Sequence, residues 1–189
     1  MTEMKTEIVK ELSRLEALRP DLLALHGTAG RTPFDHPAFF LPWVVTAIAN
    51  GLTPRCVALW RGGDLVGFGP FFVKPSKFGL TPARLSPPLY GSTPFFDMMA
   101  EGDDPEVLDR LLSAVLTGDP PHVLVPKTRA VSHVFTHLPA ALTARGFRPE
   151  VRVEPDYHAA ELGMSGDAFT AGLSKTTRRK IRRYTKAMG

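Results

Sequence analysis

The chain has 189 residues, 43% hydrophobic and 22% charged, enough to bury a core in one domain without staples. Its one cysteine, Cys56, excludes an internal disulfide framework. The net charge of +4 hides an asymmetry: residues 174–189 carry seven bases and no acid, leaving 16 bases against 19 acids elsewhere.

In chain order, residues 3–18 read as an amphipathic helix with Ile8, Leu12 and Leu15 on one face. Pro20 and LLALHG suggest a second short helix stopped at Gly27. In TPFDHPAFF, Asp35 reads as an N-cap with Pro37 in the first turn, and that helix runs to Gly51. RCVALW at 55–60 and DLVGFGPFFV at 64–73 read as strands, joined by a tight turn at Gly62-Gly63. Gly67, Gly69 and Pro70 mark a bulge or an edge in the second of them. Residues 84–99 form an extended segment, broken by proline and glycine, that ends in a strand.

Asp104-Pro105 starts a helix to Thr117 with Leu108, Leu111, Leu112 and Val115 inward. HVLVP at 122–126 reads as a short buried strand, and 132–145 as a helix ended by Gly146. Residues 147–162 give one or two strands. Two short helices follow, capped by Ser165 and Ser174. No internal repeat is visible, and all 18 prolines precede residue 156. Because strands and helices do not alternate regularly, the expected class is α/β of the α+β kind. It has a mixed, partly antiparallel sheet flanked by helices.

Several chemistries are set aside. Cys56 lies in an apolar strand, where a small buried hydrophobe is the expected role. His133 and His137 stand four apart, but Val134 replaces the glutamate of the metalloprotease pattern, so no metal is expected. GDAFTAGLSKTT lacks the strand and the Gly-Lys step of a phosphate loop. The N-terminus has no apolar signal core, and the longest apolar stretch, 38–49, falls short of the roughly 20 residues of a membrane span. A cytoplasmic protein is expected.

The basic helix is the strongest chemical signal. At 100° per residue, Arg178, Arg182 and Lys186 share a stripe flanked by Lys175, Arg179 and Arg183. Ile181, Tyr184 and Met188 form a narrow apolar seam. Like charges at i,i+4 repel, so their concentration points to an anionic partner: a cofactor phosphate, nucleic acid or an acidic protein surface. The plain alternative is a solvated cationic tail.

TPFDHPAFFLPWV, CVALWRGGDLVGFGPFFV, YGSTPFFDMM and GLSKTTRRKIRRYTKAMG occur in an order that resembles the N-terminal portion of FemAB-like and CelD-type acyltransferases, of the GNAT-like fold group. Leu173, Ser174, Lys175, Arg178, Ile181, Arg182, Lys186 and Gly189 match that family's L-S-K-x-x-R-x-x-I-R-x-x-x-K-x-x-G helix. The resemblance implies a GNAT-like lobe over 1–173 and a basic linker helix over 174–189. A second lobe, missing from this sequence or supplied by a partner subunit, would hold the acyl donor, since no Q/R-x-x-G-x-G/A loop occurs here. It implies acyl or aminoacyl transfer to an amine or hydroxyl. Acyl-CoA or aminoacyl-tRNA would be a co-substrate, with no tightly bound cofactor, and the portion would be inactive alone. It makes Asp97 the catalytic acid candidate, at a strand end where exposure and a replacement cost within about 0.5 kcal/mol are expected. Tyr90 and His36 become substrate-binding candidates, and Lys175, Arg178, Arg179, Arg182 and Arg183 bind phosphate. The alternative is a non-catalytic module that docks an anionic partner, coenzyme A phosphate or RNA, through the basic helix.

Overall fold

A computed structural model describes residues 3–30, 32–76, 83–87, 97–118, 122–125, 131–152 and 170–188. They fall into two compact units, 1–149 and 150–189.

The first unit is mixed α/β. Its main sheet contains β1 (Met4–Val9), β3 (Cys56–Arg61), β4 (Asp64–Gly69) and β7 (Met99–Ala100), in the order β1-β3-β4-β7 and antiparallel throughout. A smaller antiparallel sheet contains β2 (Thr53–Pro54), β5 (Phe72–Lys74) and β6 (Arg84–Ser86), with β5 central. Helices cover both faces of the main sheet. On one side lie α1 (Leu12–Ala17), α2 (Arg19–Ala29) and α3 (Pro37–Ala49). On the other lie α4 (Pro105–Val115) and α5 (His133–Thr143).

This burial on two faces explains why β3 reads as an unbroken apolar run. Its side chains alternate between layers: Val57 and Leu59 join Leu108 and Leu111 of α4, while Cys56 and Ala58 join Leu22, Phe40 and Val44. Burial pushes the Cys56 thiol pKa upward, and its Sγ reaches the Phe71 carbonyl at 3.7 Å. The small buried hydrophobe expected from sequence is what the strand contains.

The hairpin forms as expected, with Gly62 and Gly63 at φ 64° and 105°. Pairing runs Leu59 to Gly67 and then Trp60 to Leu65, so Val66 is the extra residue of a bulge. Pro70, with no N–H to donate, ends the ladder one residue past β4, and the chain passes to β5 in the second sheet. The single strand expected over 64–73 is therefore two. All four inward positions named for α4 are buried, and Val107 joins them. Burying a leucine or valine fully contributes about 1.5–3 kcal/mol relative to exposure, which makes α4 the principal cover of that face.

Four further expectations are corrected. Residues 4–9 are a strand rather than part of a helix over 3–18. Ile8 is 41% exposed on an edge strand, and its helical spacing to Leu12 and Leu15 is incidental. Glu7 fastens that edge: it accepts from Arg14 at 2.7 and 2.9 Å and from Trp60 Nε1 at 3.0 Å. The second helix passes Gly27 and ends at Ala29. The cap of α3 is His36, not Asp35; Asp35 closes a capping box with Thr32 on the preceding 3-10 turn. Around 122–125 the expected buried strand reduces to one parallel bridge between Val123 and Leu85, with Leu124 exposed.

In the second unit, α6 (Lys175–Met188) follows Ser174, whose Oγ accepts from the Thr177 amide at 3.2 Å. Of the one or two strands expected over 147–162, none forms at 147–152, and 153–162 lie outside the described residues, as do Ser165 and Gly189.

Gly67 sets how closely α4 lies on the sheet. A Cβ there would stand 2.7 Å from Val107 Cγ1 and 3.3 Å from Leu111 Cδ1. Valine is stiff at χ1, so α4 must move to make room. Gly67→Ala is expected to lower stability in urea by about 1–3 kcal/mol. Adding Val107→Ala should recover part of the loss that the two single changes would sum to. An unchanged midpoint for the single variant would contradict the close packing.

Candidate functional site

Asp97 sits two residues before β7, and its surroundings differ from the exposed strand end that the sequence suggests. It is 5% exposed. Its Oδ1 accepts from the amides of Met98 at 2.8 Å and Val134 at 3.1 Å, and its Oδ2 from the amide of His133 at 3.0 Å. Two of these donors are the first N–H groups of α5, which a helix leaves without internal partners. Ser132 Oγ takes a third, from Phe135, at 3.0 Å. Burial raises the Asp97 pKa above the ordinary carboxylate value. The amides of Val134, His133 and Met98, then the charge of His133, oppose that shift without cancelling it.

Around this carboxylate lies a cluster. The buried His133 ring places Nε2 3.1 Å from Asp103 Oδ1, and the His137 ring is centred 6.1 Å from it. Asp103 and Gly102 both adopt left-handed backbone, φ 54° and 60°, which turns the chain sharply into α4. Asp104 then caps α4: its Oδ1 accepts from the Glu106 amide at 2.9 Å, and its Oδ2 pairs with Arg61 at 2.8 Å. The Arg61 hydrogen bond holds the Asp104 carboxyl below its ordinary pKa. Among the described residues no group of three or more His, Cys, Asp or Glu could hold a metal.

His36 lies elsewhere, beside α2. Its Nδ1 accepts from the Ala38 amide at 3.1 Å, so the ring proton belongs on Nε2. The His26 ring meets it edge-on at 4.9 Å, and His26 Nε2 donates to the Thr32 carbonyl at 3.3 Å. With Gly30, Pro33 and Phe39 these residues line an open cleft of about 710 Å³. Tyr90 lies outside the described residues. His26 and Asp103 escape sequence reasoning, since a ten-residue spacing between histidines and an acid in a glycine turn follow no motif.

On α6, Lys175, Arg179, Lys180 and Arg183 are exposed, while Arg178 is half-buried and donates from Nη1 to the Ala171 carbonyl at 3.2 Å. Arg182 lies within the same helix. The structure thus places the sequence candidates in three groups: Asp97 at the start of α5, His36 in the cleft, and the bases along α6.

No protein-family model matches the chain, and no curated protein sequence matches it. Solved structures give distant likenesses. An acetyltransferase of Trypanosoma brucei has TM-score 0.47 and 12% identity, covering 82% of this chain and 100% of that one. A glucosamine-6-phosphate N-acetyltransferase of Arabidopsis thaliana has TM-score 0.44 and 10% identity, covering 83% and 99%. An aminoglycoside acetyltransferase from an uncultured soil metagenomic sample has TM-score 0.46 and 13% identity, covering 84% and 99%. Scores and identities this low assign neither a family nor an activity.

Replacing the Asp97 carboxylate by an amide sets an NH2 against backbone donors, leaving one buried amide without an acceptor. Asp97→Asn is expected to cost about 1–3 kcal/mol in urea. A midpoint shift equivalent to less than about 0.5 kcal/mol would restore the exposed-acid reading.

The pH dependence has a definite sign. With its folded pKa raised, Asp97 favours the fold most at low pH, and that contribution declines as pH rises through the raised value. Glu7 and Asp104 are depressed, chiefly by hydrogen bonds from Arg14 and Arg61. Their contributions are present above the ordinary carboxylate pKa of about 4 and are lost as pH falls through the depressed values. Asp97→Asn should therefore lose stability more steeply on acidification than the parent chain; a shallower loss would contradict the burial of Asp97.

Proposed function

We propose that this chain is the N-terminal portion of a GNAT-like acyltransferase, moving an acyl or aminoacyl group to an amine or hydroxyl. Residues 1–189 supply anion binding and acceptor positioning rather than complete turnover. The observation that carries the reading is the order of the four sequence segments ending in the L-S-K-x-x-R-x-x-I-R helix. Ser174 and Thr177 hydrogen-bond at the start of that helix, and four of its bases are exposed, which supports a role in holding phosphate.

Electrostatics favours the same division of labour. A helix N-terminus ordinarily offers free amides to a phosphate. In the first unit, Asp104 and Asp97 take those positions on α4 and α5. A phosphate-bearing thioester meets repulsion there and attraction at α6. In the reaction, the acceptor nitrogen or oxygen would form a bond to the acyl carbon as the donor bond breaks, carbon–sulfur in acyl-CoA or the ester carbon–oxygen in aminoacyl-tRNA. The acceptor's proton would pass to a base or water, and the donor would leave as the thiol or as the ribose hydroxyl. Catalysis of this kind rests on orientation and donors for the developing oxyanion. His36 and the cleft beside it are the acceptor-side candidates, and Asp97 acts as a positioning group for α5.

A second reading, a non-catalytic module that docks an anionic partner, has one observation of its own: residues 150–189 form a separate compact unit.

The test uses the purified chain. Free thiol release from acyl-CoA across a panel of amines is expected to stay at background; acceptor-dependent release that tracks with the protein would overturn the binding-only assignment. Coenzyme A affinity is expected to fall steeply between 50 and 200 mM salt. Changing Arg178, Arg179, Arg182 and Arg183 to Gln, which keeps helix propensity nearly constant, should weaken coenzyme A binding and flatten its salt dependence. Loss of RNA binding alone would favour the docking module or a tRNA-linked donor, and unchanged coenzyme A affinity would remove the phosphate role of α6.

A further inference from the structure

We infer that Lys74, Arg84 and His122 form a phosphate-binding site at one end of the small sheet, in addition to the bases of the basic helix. The placement follows from register. Lys74 of β5 pairs directly with Arg84 of β6. On the other side of β6, the Leu85 amide donates to the His122 carbonyl at 2.8 Å and the Leu124 amide to the Leu85 carbonyl at 2.8 Å. That is the parallel pattern, centred on the Leu85–Val123 bridge, and it sets His122 beside Arg84. Side chains alternate along a strand, and Val73, Leu85 and Val123 belong to the core. Lys74, Arg84 and His122 therefore share the opposite face, in a row spaced by about 5 Å between neighbouring strands.

Without a ligand this row is unfavourable. Like charges directly opposite across a ladder repel. Lys74 and His122 are exposed and Arg84 is half-buried, yet no carboxylate among the described residues pairs with any of the three. Arg84 Nε is also buried without a hydrogen-bond partner. A buried donor left unmatched costs free energy that a charged acceptor would return. An oxyanion drawing the guanidinium toward it satisfies the fork and neutralises the opposed charges together. A carboxylate offers two coplanar oxygens, which an arginine fork can fill by itself. A phosphate group adds further oxygens for an ammonium and an imidazole in other directions, and so fits the three-residue row.

The experiment is calorimetric titration of the full chain at fixed ionic strength. Its background carries the four arginine-to-glutamine changes in α6, so that the helix is silent. The probes are inorganic phosphate, acetate and coenzyme A. Phosphate, free or as the ester in coenzyme A, is expected to bind, with at least tenfold weaker affinity in Arg84→Gln and in Lys74→Gln, and to exceed acetate. Sensitivity of coenzyme A to the same changes identifies a phosphate ester as the source; sensitivity of inorganic phosphate alone identifies the free ion. Equal affinity in the parent and Arg84→Gln, or no phosphate binding on this background, would overturn the site. As a second measurement, Arg84→Met should raise the melting temperature in phosphate-free buffer and erase any rise on adding phosphate. A fall in phosphate-free buffer would contradict the unmatched Arg84.

Discussion

The carboxylate of Asp97 is the fixed point of the first unit. Its two oxygens accept three backbone amides, two of them from the start of α5 more than 30 residues away. Burial disfavours its charge, and the amides offset part of that cost. Hydrogen bonds to a charged group contribute about 1.5–3 kcal/mol each, so losing their geometry outweighs most surface changes. Through this one residue β7 and α5 are held in register. β7 is in turn paired to β4, against which α4 packs at Gly67.

The same arrangement sorts charge within the protein. Acids serve structure: Asp97 and Asp104 close helix N-termini, and Glu7 ties the sheet edge to α1. Arg14 and Arg61 pair with Glu7 and Asp104, and a second set of bases lies apart from those pairs. They lie opposite one another at the end of the small sheet and crowd along α6. Neither arrangement favours the fold in isolation, because like charges at i,i+4 on a helix or across a ladder repel. Screening over about 8 Å at physiological salt prevents the mildly acidic remainder of the chain from neutralising them at a distance. An anion in direct contact does so.

What sequence makes legible here is local. Gly62-Gly63 between apolar runs specifies the hairpin, and Asp104-Pro105 followed by four apolar positions specifies α4. Ser132 and Ser174 mark helix starts by the hydrogen bonds their side chains make to backbone N–H groups. The mixed, antiparallel architecture follows from the order of those elements. The misreadings are non-local. Ile8, Leu12 and Leu15 have helical spacing, yet residues 4–9 are claimed by a six-residue ladder with β3, some fifty positions away. His36 displaces Asp35 as a cap because Thr32 engages Asp35 first. Asp97 looks like an exposed strand end because its partners, His133 and Val134, are far along the chain. The Lys74–Arg84–His122 row depends on two strand registers, which periodicity within any one segment does not specify.

The central claim is that anions bind on the basic row and the basic helix, while the helix starts of the first unit are closed by their own carboxylates. Amide chemical shifts from an 15N-labelled chain, recorded as pyrophosphate is added at constant ionic strength, test it directly. Changes are expected around Lys74, Arg84 and His122 and along 175–183, with the amides of 106–108 and 133–135 unmoved. Shifts concentrated at the starts of α4 and α5, with the basic residues silent, would contradict it.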